Sequence, residues 1–249
     1  MVVTGGGGGI GGALCRRFAA EGAEKVVVSD IDQHAAETVA AEIGGTAVRA
    51  DVTVESDVAH LVRETVTAYG RIDIYCSNAG IAFGGGPEAS DQAWRQSWDV
   101  HVMAHVYAAR ALLHGMQERG EGYIVGTISA AALLNHILAA PYAVTKAAGL
   151  SFFEWMAIAF HDQGIRVSAL CPQGVRTAML TQEGDRNFLT VGALEPEQVA
   201  DAVVEAIRDE RFLILPHPEV GEFFRRKAAD YDRWLRGMRR LRARILEER

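Results

Sequence analysis

Short apolar runs alternate with stretches of helical periodicity along the whole chain, and this rhythm limits its fold more than any other feature. The runs are Met1-Val2-Val3, Val26-Val27-Val28, Thr46–Ala50, Ile72–Cys76, Gly122–Ile128, Ile165–Cys171 and Phe212–Leu215. Between them, sets such as Ile10, Leu14, Phe18 and Val58, Leu61, Val62, Thr65 recur at helical spacing. A strand-helix-strand alternation returns each strand in the same direction, so the chain is expected to form an α/β fold: a doubly wound parallel sheet of about seven strands flanked by helices. Its 249 residues, 49% of them hydrophobic, suffice for a single domain over 1–249 with one large core.

Composition narrows the class. No run of eighteen apolar residues and no basic-then-apolar leader is present, so neither a membrane span nor a signal peptide is expected and the protein should be cytoplasmic. Cys15, Cys76 and Cys171 are odd in number and far apart, which argues against disulfides and against a zinc ribbon. His101 and His105 stand four apart, as two metal ligands would, but no third ligand or H-E-x-x-H pattern accompanies them, and no metal is expected. A net charge of −7 disfavours nucleic acid as a partner.

The first strand runs into Thr4-Gly5-Gly6-Gly7-Gly8-Gly9-Ile10-Gly11-Gly12, and the helix follows at once. Bare amides at a helix N-terminus can approach a pyrophosphate closely, so this junction reads as a Rossmann-like dinucleotide loop. The second strand closes on Asp30, where such a fold places an acid on the adenosine ribose. That charge would repel a 2′-phosphate, and the next residues, Ile31 and Asp32, supply no compensating cation, so NAD is expected over NADP. The fourth strand exits through Asn78-Ala79-Gly80, small enough for backbone to pass beside the cofactor.

Tyr142 and Lys146 share a helix face at a spacing of four. A free tyrosine titrates near pH ~10, and an ammonium ~5 Å away at an effective dielectric of ~20 favours the phenolate by roughly 3 kcal/mol, on the order of two pKa units. Tyr142 is therefore a candidate acid/base. Ser129 ends the β-branched run Gly122–Ile128 before a loop rich in small residues, where a strand end and a helix start can converge on one cleft.

Taken together, Thr4-Gly5-x-x-x-Gly9-Ile10-Gly11, Asp30, Asp51-Val52, Asn78-Ala79-Gly80, Ser129, Tyr142-x-x-x-Lys146 and Pro172-Gln173-Gly174-Val175-Arg176-Thr177 resemble the short-chain dehydrogenase/reductase family over nearly the whole chain. The resemblance implies that Gly5, Gly8, Gly9, Ile10 and Gly11 hold the cofactor phosphates and that Asp30 and Ile31 border the adenosine. It further places Asp51 and Val52 beside the adenine, Asn78 to Gly80 along the ribose, and Pro172, Gly174, Val175 and Thr177 around the nicotinamide amide. Ser129, Tyr142 and Lys146 would be catalytic.

Two departures stand out. Gln173 separates a proline and a glycine that the family keeps adjacent, and His101 occupies the place of an asparagine that supports a helix kink and a water linked to the lysine. His101 is accordingly expected either to support that kink or to relay protons, titrating near pH ~6 to 7.

Ile81, Phe83, Leu133, Met179 and Leu180, with His136, are expected to face the substrate, which such an apolar set suggests is hydrophobic. The segment Met179–Leu194, with Phe188 and Leu189 among polar residues, reads as a lid. The tail, 219–249, carries ten Lys/Arg against six Asp/Glu and reads as one basic amphipathic helix, packed on the acidic body or on a neighbouring subunit. The helices at 91–118 and 141–162 form the subunit interface in many family members, which implies a homodimer or homotetramer. The expected function is NAD-dependent interconversion of a hydrophobic secondary alcohol and a ketone. The competing expectation is a dinucleotide-binding sensor or scaffold without turnover.

Overall fold

In the computed structural model, which describes residues 1–181 and 189–247, seven parallel strands form one sheet in the order β3-β2-β1-β4-β5-β6-β7. The strands are β1 (Val2–Thr4), β2 (Val27–Asp30), β3 (Thr46–Arg49), β4 (Ile74–Ser77), β5 (Gly122–Thr127), β6 (Ile165–Leu170) and β7 (Leu213–Ile214). Each lies within an apolar run of the sequence or ends one or two residues beyond it. β1 is flanked by β2 on one side and β4 on the other, so the chain reverses its direction of winding there.

Helices α1 (Gly9–Ala20), α2 (Gln33–Ile43) and α9 (Pro196–Arg208) cover one face, burying Leu14, Phe18, Val39, Val199 and Val203. On the other face lie α3 (Glu55–Tyr69), α5 (Ala104–Arg119) and α7 (Ala140–Phe160), which bury Leu61, Leu112, Met116, Phe153 and Met156. Local chemistry fixes several ends. The Asp32 carboxylate accepts the N–H groups of His34 and Ala35 at the start of α2, and Gly44, at φ 62°, ends it in the left-handed conformation. Pro196 occupies the first turn of α9, where its missing N–H costs nothing. α7 is the one described helix long and apolar enough, over Ala140–Gln163, to cross a membrane by composition alone. Here its inner side is part of the layer just described.

Two helices expected as continuous are interrupted. The segment expected as helix from Asp91 to Gln117 divides into α4 (Asp91–Trp98), a π-helical turn at Asp99–Met103, and α5. The widened turn directs His101 inward, where it is fully buried. The tail is two helices, α10 (Glu219–Ala229) and α11 (Tyr231–Glu247), because Asp230 adopts an extended conformation between them. They lie across one end of the cavity described below, seated on the body of the same chain, with Phe223 and Trp234 against its core. The loop expected after Ser129 contains a turn of helix, α6 (Ala130–Leu134), and the expected lid begins with another, α8 (Ala178–Thr181); its residues 182–188, Phe188 among them, lie outside the described residues.

The close approach of α7 to the sheet depends on Gly126 of β5. A β-carbon there would stand 2.2 Å from Cζ of Phe153, a side chain with no exposed surface. Gly126→Ala is expected to destabilise the fold by about 1–3 kcal/mol, the usual cost of overpacking a core. Urea unfolding checks this, and an unchanged midpoint would mean that the Phe153 ring moves aside freely.

Candidate active site

One cavity of about 1500 Å³ opens over the C-terminal ends of the strands, at the reversal point beside β1. Its dinucleotide half is built from the first β-α junction. Gly8 precedes α1 without a capping side chain, and a β-carbon on it would meet nothing within 4 Å, so the helix N-terminus stands open to the cavity. Gly7 is held tightly: its N–H donates to Asp30 Oδ2 at 3.0 Å, and a β-carbon would lie 2.7 Å from that of Ala35. The other Asp30 oxygen accepts the Asp32 N–H at 3.0 Å. The carboxylate thus braces the loop it was expected to serve. An uncapped helix terminus with space before it, next to a fixed carboxylate, fits a pyrophosphate and a ribose.

Gly5, Gly8, Gly9, Ile10, Asp30, Ile31, Asp51, Val52, Asn78, Ala79, Gly80, Pro172, Gly174, Val175 and Thr177 all line this cavity, as expected. Gly11 does not. It is buried inside α1, where a β-carbon would come within 2.0 Å of the Gly5 carbonyl oxygen, so its role is to let the helix pack on its own loop. Asn78 lines the cavity, but its amide is committed to the chain: Nδ2 donates to the carbonyls of Thr4 and Gly5, and Oδ1 accepts from Thr127. It ties together the ends of β1, β4 and β5.

The inserted Gln173 is accommodated by a residue that no motif pointed to. Its N–H donates to Nδ1 of the buried His217 at 3.2 Å. Gly174, displaced by one position, is still required to be a glycine, because a β-carbon would fall 2.0 Å from the Leu189 carbonyl oxygen.

Ser129, Tyr142 and Lys146 line the same cavity. Ser129 caps α6, its Oγ accepting the Ala131 N–H at 3.0 Å, which leaves its hydroxyl proton to be donated. Lys146 is buried; its Nζ donates to the Thr127 carbonyl at 2.9 Å and lies 5.7 Å from the centre of the Tyr142 ring. Burial pushes the Lys146 amine down to about 7.

His101 stands behind this wall and does not line the cavity. Its Nε2 accepts the Ile81 N–H at 3.2 Å, so the ring proton is on Nδ1, which donates to Thr145 Oγ1 at 2.9 Å. Thr145 in turn donates to the Pro141 carbonyl at 2.7 Å. The expected titration near neutrality is corrected: burial, reinforced by the Lys146 charge, holds His101 neutral well below its usual pKa. Both ring nitrogens are engaged, and the imidazole links the loop after β4 to the start of α7, its ring centre 5.4 Å from that of Tyr142 and the two rings nearly perpendicular. His105 is likewise structural. Its Nδ1 contacts Ser77 Oγ at 2.7 Å, and burial lowers its pKa to about 3.

Of the expected substrate residues, Ile81, Phe83, His136, Met179 and Leu180 line the cavity. Leu133 does not, because the helical turn of α6 sends it into the core and brings Leu134 to the cavity instead. Two groups were not anticipated: Gln96 of α4 with Asp99 and Val100 of the π-helical turn, and a face of α10 and α11 that includes Phe223, Trp234, Met238 and Leu241. The helical spacing of the last set was visible in the tail, but nothing in the sequence said what that face covers.

Residues 1–187 match the short chain dehydrogenase family model. A 2,5-dichloro-2,5-cyclohexadiene-1,4-diol dehydrogenase of Sphingobium indicum is 38% identical over 201 residues, spanning 79% of this chain and 78% of that protein. A meso-2,3-butanediol dehydrogenase of Serratia marcescens is 34% identical over 86% of this chain and 89% of its own length. The crystal structure of a short chain dehydrogenase/reductase from Burkholderia phymatum in complex with NAD superposes with a TM-score of 0.83 at 27% identity, covering 93% of each chain. The chain belongs to the short-chain dehydrogenase/reductase family and is an oxidoreductase of that family.

The buried lysine has a consequence for stability. Its folded pKa, about 7, lies below the ordinary lysine value of 10.5, so the unfolded chain binds the extra proton between those values and stability rises with pH across that window. Below pH ~7 the full cost of burying the amine is present. Lys146→Met should therefore raise the thermal midpoint of the cofactor-free protein most at or below neutrality, with the gain fading toward pH ~10. Each kcal/mol is worth about 2–4 °C in a chain of this size. A gain that grows with pH would contradict the assignment.

Proposed function

We propose that this oxidoreductase uses NAD to interconvert an apolar secondary alcohol and the corresponding ketone. The observation that carries the reading is that Ser129, Tyr142 and Lys146 line one cavity with the open N-terminus of α1. The named relatives act on a cyclic diol and on butanediol, both of them secondary alcohols. The balanced reaction is alcohol and NAD⁺ giving ketone, NADH and a proton. The nicotinamide, when bound, supplies the hydride acceptor or donor.

The chain's own part is geometry and proton handling. Ser129 donates its free hydroxyl proton to the substrate oxygen, and Tyr142 takes the alcohol proton in oxidation and returns it in reduction. Lys146, in its charged form, favours the phenolate and orients the ribose beside it. His101 fixes the start of α7 on which Tyr142 rides. A sensor or scaffold without turnover would have no use for all three site residues in one cavity, and the enzyme reading is preferred on that ground.

Asp30 supports NAD over NADP, since its carboxylate faces the adenosine end of the cavity with no arginine or lysine among the described residues lining that end. The reading includes a cytoplasmic protein that associates as a homodimer or homotetramer through the helices at 91–118 and 141–162. Trp98, Trp155 and Ile158 on those helices are 45%, 57% and 83% exposed in the single chain, which supports a further buried surface there.

Tyr142→Phe should retain NADH binding, followed by fluorescence, and lower kcat by at least about a hundredfold, the lower range for loss of a general acid/base. Turnover near that of the parent would place the proton elsewhere. Asp30→Ala should narrow the ratio of NADPH to NADH dissociation constants; because the carboxylate also braces Gly7, the ratio and not the absolute affinity is the measure. Tighter NADPH than NADH binding by the parent protein would remove the NAD assignment.

A further inference from the structure

The helices α10 and α11 present one face to the substrate end of the cavity, where Phe223, Trp234, Met238 and Leu241 continue its apolar wall. They are seated on the body of the chain. Val220 is fully buried, and Phe223 and Trp234 pack against the core. Lys227 Nζ donates to the Leu133 carbonyl at 2.5 Å and Arg242 Nε to the Ile137 carbonyl at 3.2 Å. Both acceptors belong to the segment between Ser129 and Tyr142. The helices therefore cover the reacting groups' end of the cavity, away from Asp30 and Asp51.

Arginines 226, 233 and 240 lie on the same lining. Arg226 Nε is paired with Glu222 at 2.8 Å. Arg233 and Arg240 have no carboxylate within ion-pair distance among the described residues; the same holds for Arg236, Arg239, Arg242 and Arg244 of α11, but those four do not line the cavity. Two acids share the lining near them. Asp230 caps α11, its Oδ1 accepting the Arg233 backbone N–H at 2.9 Å, and Asp99 pairs with neither guanidinium. A spacing of seven puts Arg233 and Arg240 on one side of α11, about 10 Å apart. Guanidinium groups keep their charge at any physiological pH, and at the exposed rim of the cavity their attraction for an anion is one that salt screens.

We propose that Arg233 and Arg240 form an anion subsite. The substrate is then an apolar secondary alcohol, or its ketone, that carries a carboxylate or sulfonate at the end remote from the reacting carbon. The proposal rests on the dehydrogenase reading for its reacting end and on the two arginines for the other. It deepens that reading by adding a charge to a substrate class otherwise defined as apolar. Binding of the anion acts at a distance from the chemistry, so its effect belongs in KM and not in kcat.

The test uses hydroxyhexanoate, hydroxyoctanoate and hydroxydecanoate with the hydroxyl on the penultimate carbon, each beside its methyl ester, with NAD and the full chain. The parent is expected to prefer at least one acid over its ester by about tenfold or more in kcat/KM, carried by KM and weakened by salt. In the double variant Arg233→Gln/Arg240→Gln the ratio of acid to ester should fall to about two or less. Both positions are exposed, and the thermal midpoint confirms that the variant is folded. A parent ratio near one for every chain length, or a ratio unchanged in the variant, overturns the subsite. If no alcohol is oxidised, the keto acids and their esters are titrated against the NADH complex by fluorescence. Preferential binding of the acid by the parent and not by the variant then upholds the subsite while the dehydrogenase reading falls. Equal binding of acid and ester overturns the subsite there too.

Discussion

A primary amine buried between a helix and the sheet sets the terms for everything around the active site. Lys146 leaves water to donate to the Thr127 carbonyl, and that burial alone takes its pKa to about 7. Any further positive charge nearby would push it lower and discharge it. The two imidazoles closest in the fold, His101 and His105, are themselves held neutral by burial and by the lysine. The surroundings are thus built so that the amine is poised near half-charge, where an added negative group beside it, such as a phenolate, restores the proton.

His101 shows how a substitution at a structural position can be absorbed. The asparagine expected there offers one acceptor and one donor group; a neutral imidazole offers one acceptor and one donor nitrogen, spaced further apart. Here the acceptor takes the Ile81 N–H and the donor reaches Thr145 on α7. The larger ring is housed by the π-helical turn at Asp99–Met103. The His101 carbonyl meanwhile lies 2.8 Å from where a β-carbon on Gly149 would be, so α7 can approach this turn only with glycine at that position. Loop, turn and helix are locked by polar contacts that do not require the imidazole to ionise.

Much of this was legible in the sequence because it depends on short-range rules. The apolar runs became the seven strands, and the glycine junction, Asp30, Asn78 and the tyrosine-lysine pair arrived at one cavity, since a doubly wound sheet brings the C-terminal ends of its strands together. What escaped depended on orientation within a turn or on contacts distant in sequence. Leu133 and Leu134 differ by one helical step, and only the seating of α6 decides which faces the cavity. Gly11 matched a loop motif but is spent on helix packing. His217 meets Gln173 across 44 positions, and no local pattern marks it. The tail announced its amphipathicity but not its target, because a helix face encodes the need for burial and not the surface that meets it.

The charge distribution along the cavity follows from that tail. The adenosine end is acidic through Asp30 and Asp51, yet both carboxylates already accept protein donors: Gly7 and Asp32 on the first, the Thr53 N–H and hydroxyl on the second. Their charge is partly answered before any ligand arrives. At the far end the guanidinium groups of Arg233 and Arg240 have no such answer among the described residues. Between them the wall is largely apolar. A cavity with this gradient distinguishes molecules by which end carries their charge. A molecule with an anion at one terminus and a carbinol at the other has only one orientation in which its charge meets the arginines and its hydroxyl meets Ser129 and Tyr142. Orientation of that kind requires no extra contact at the reacting carbon, which leaves the shape of the apolar wall free to choose the carbon skeleton.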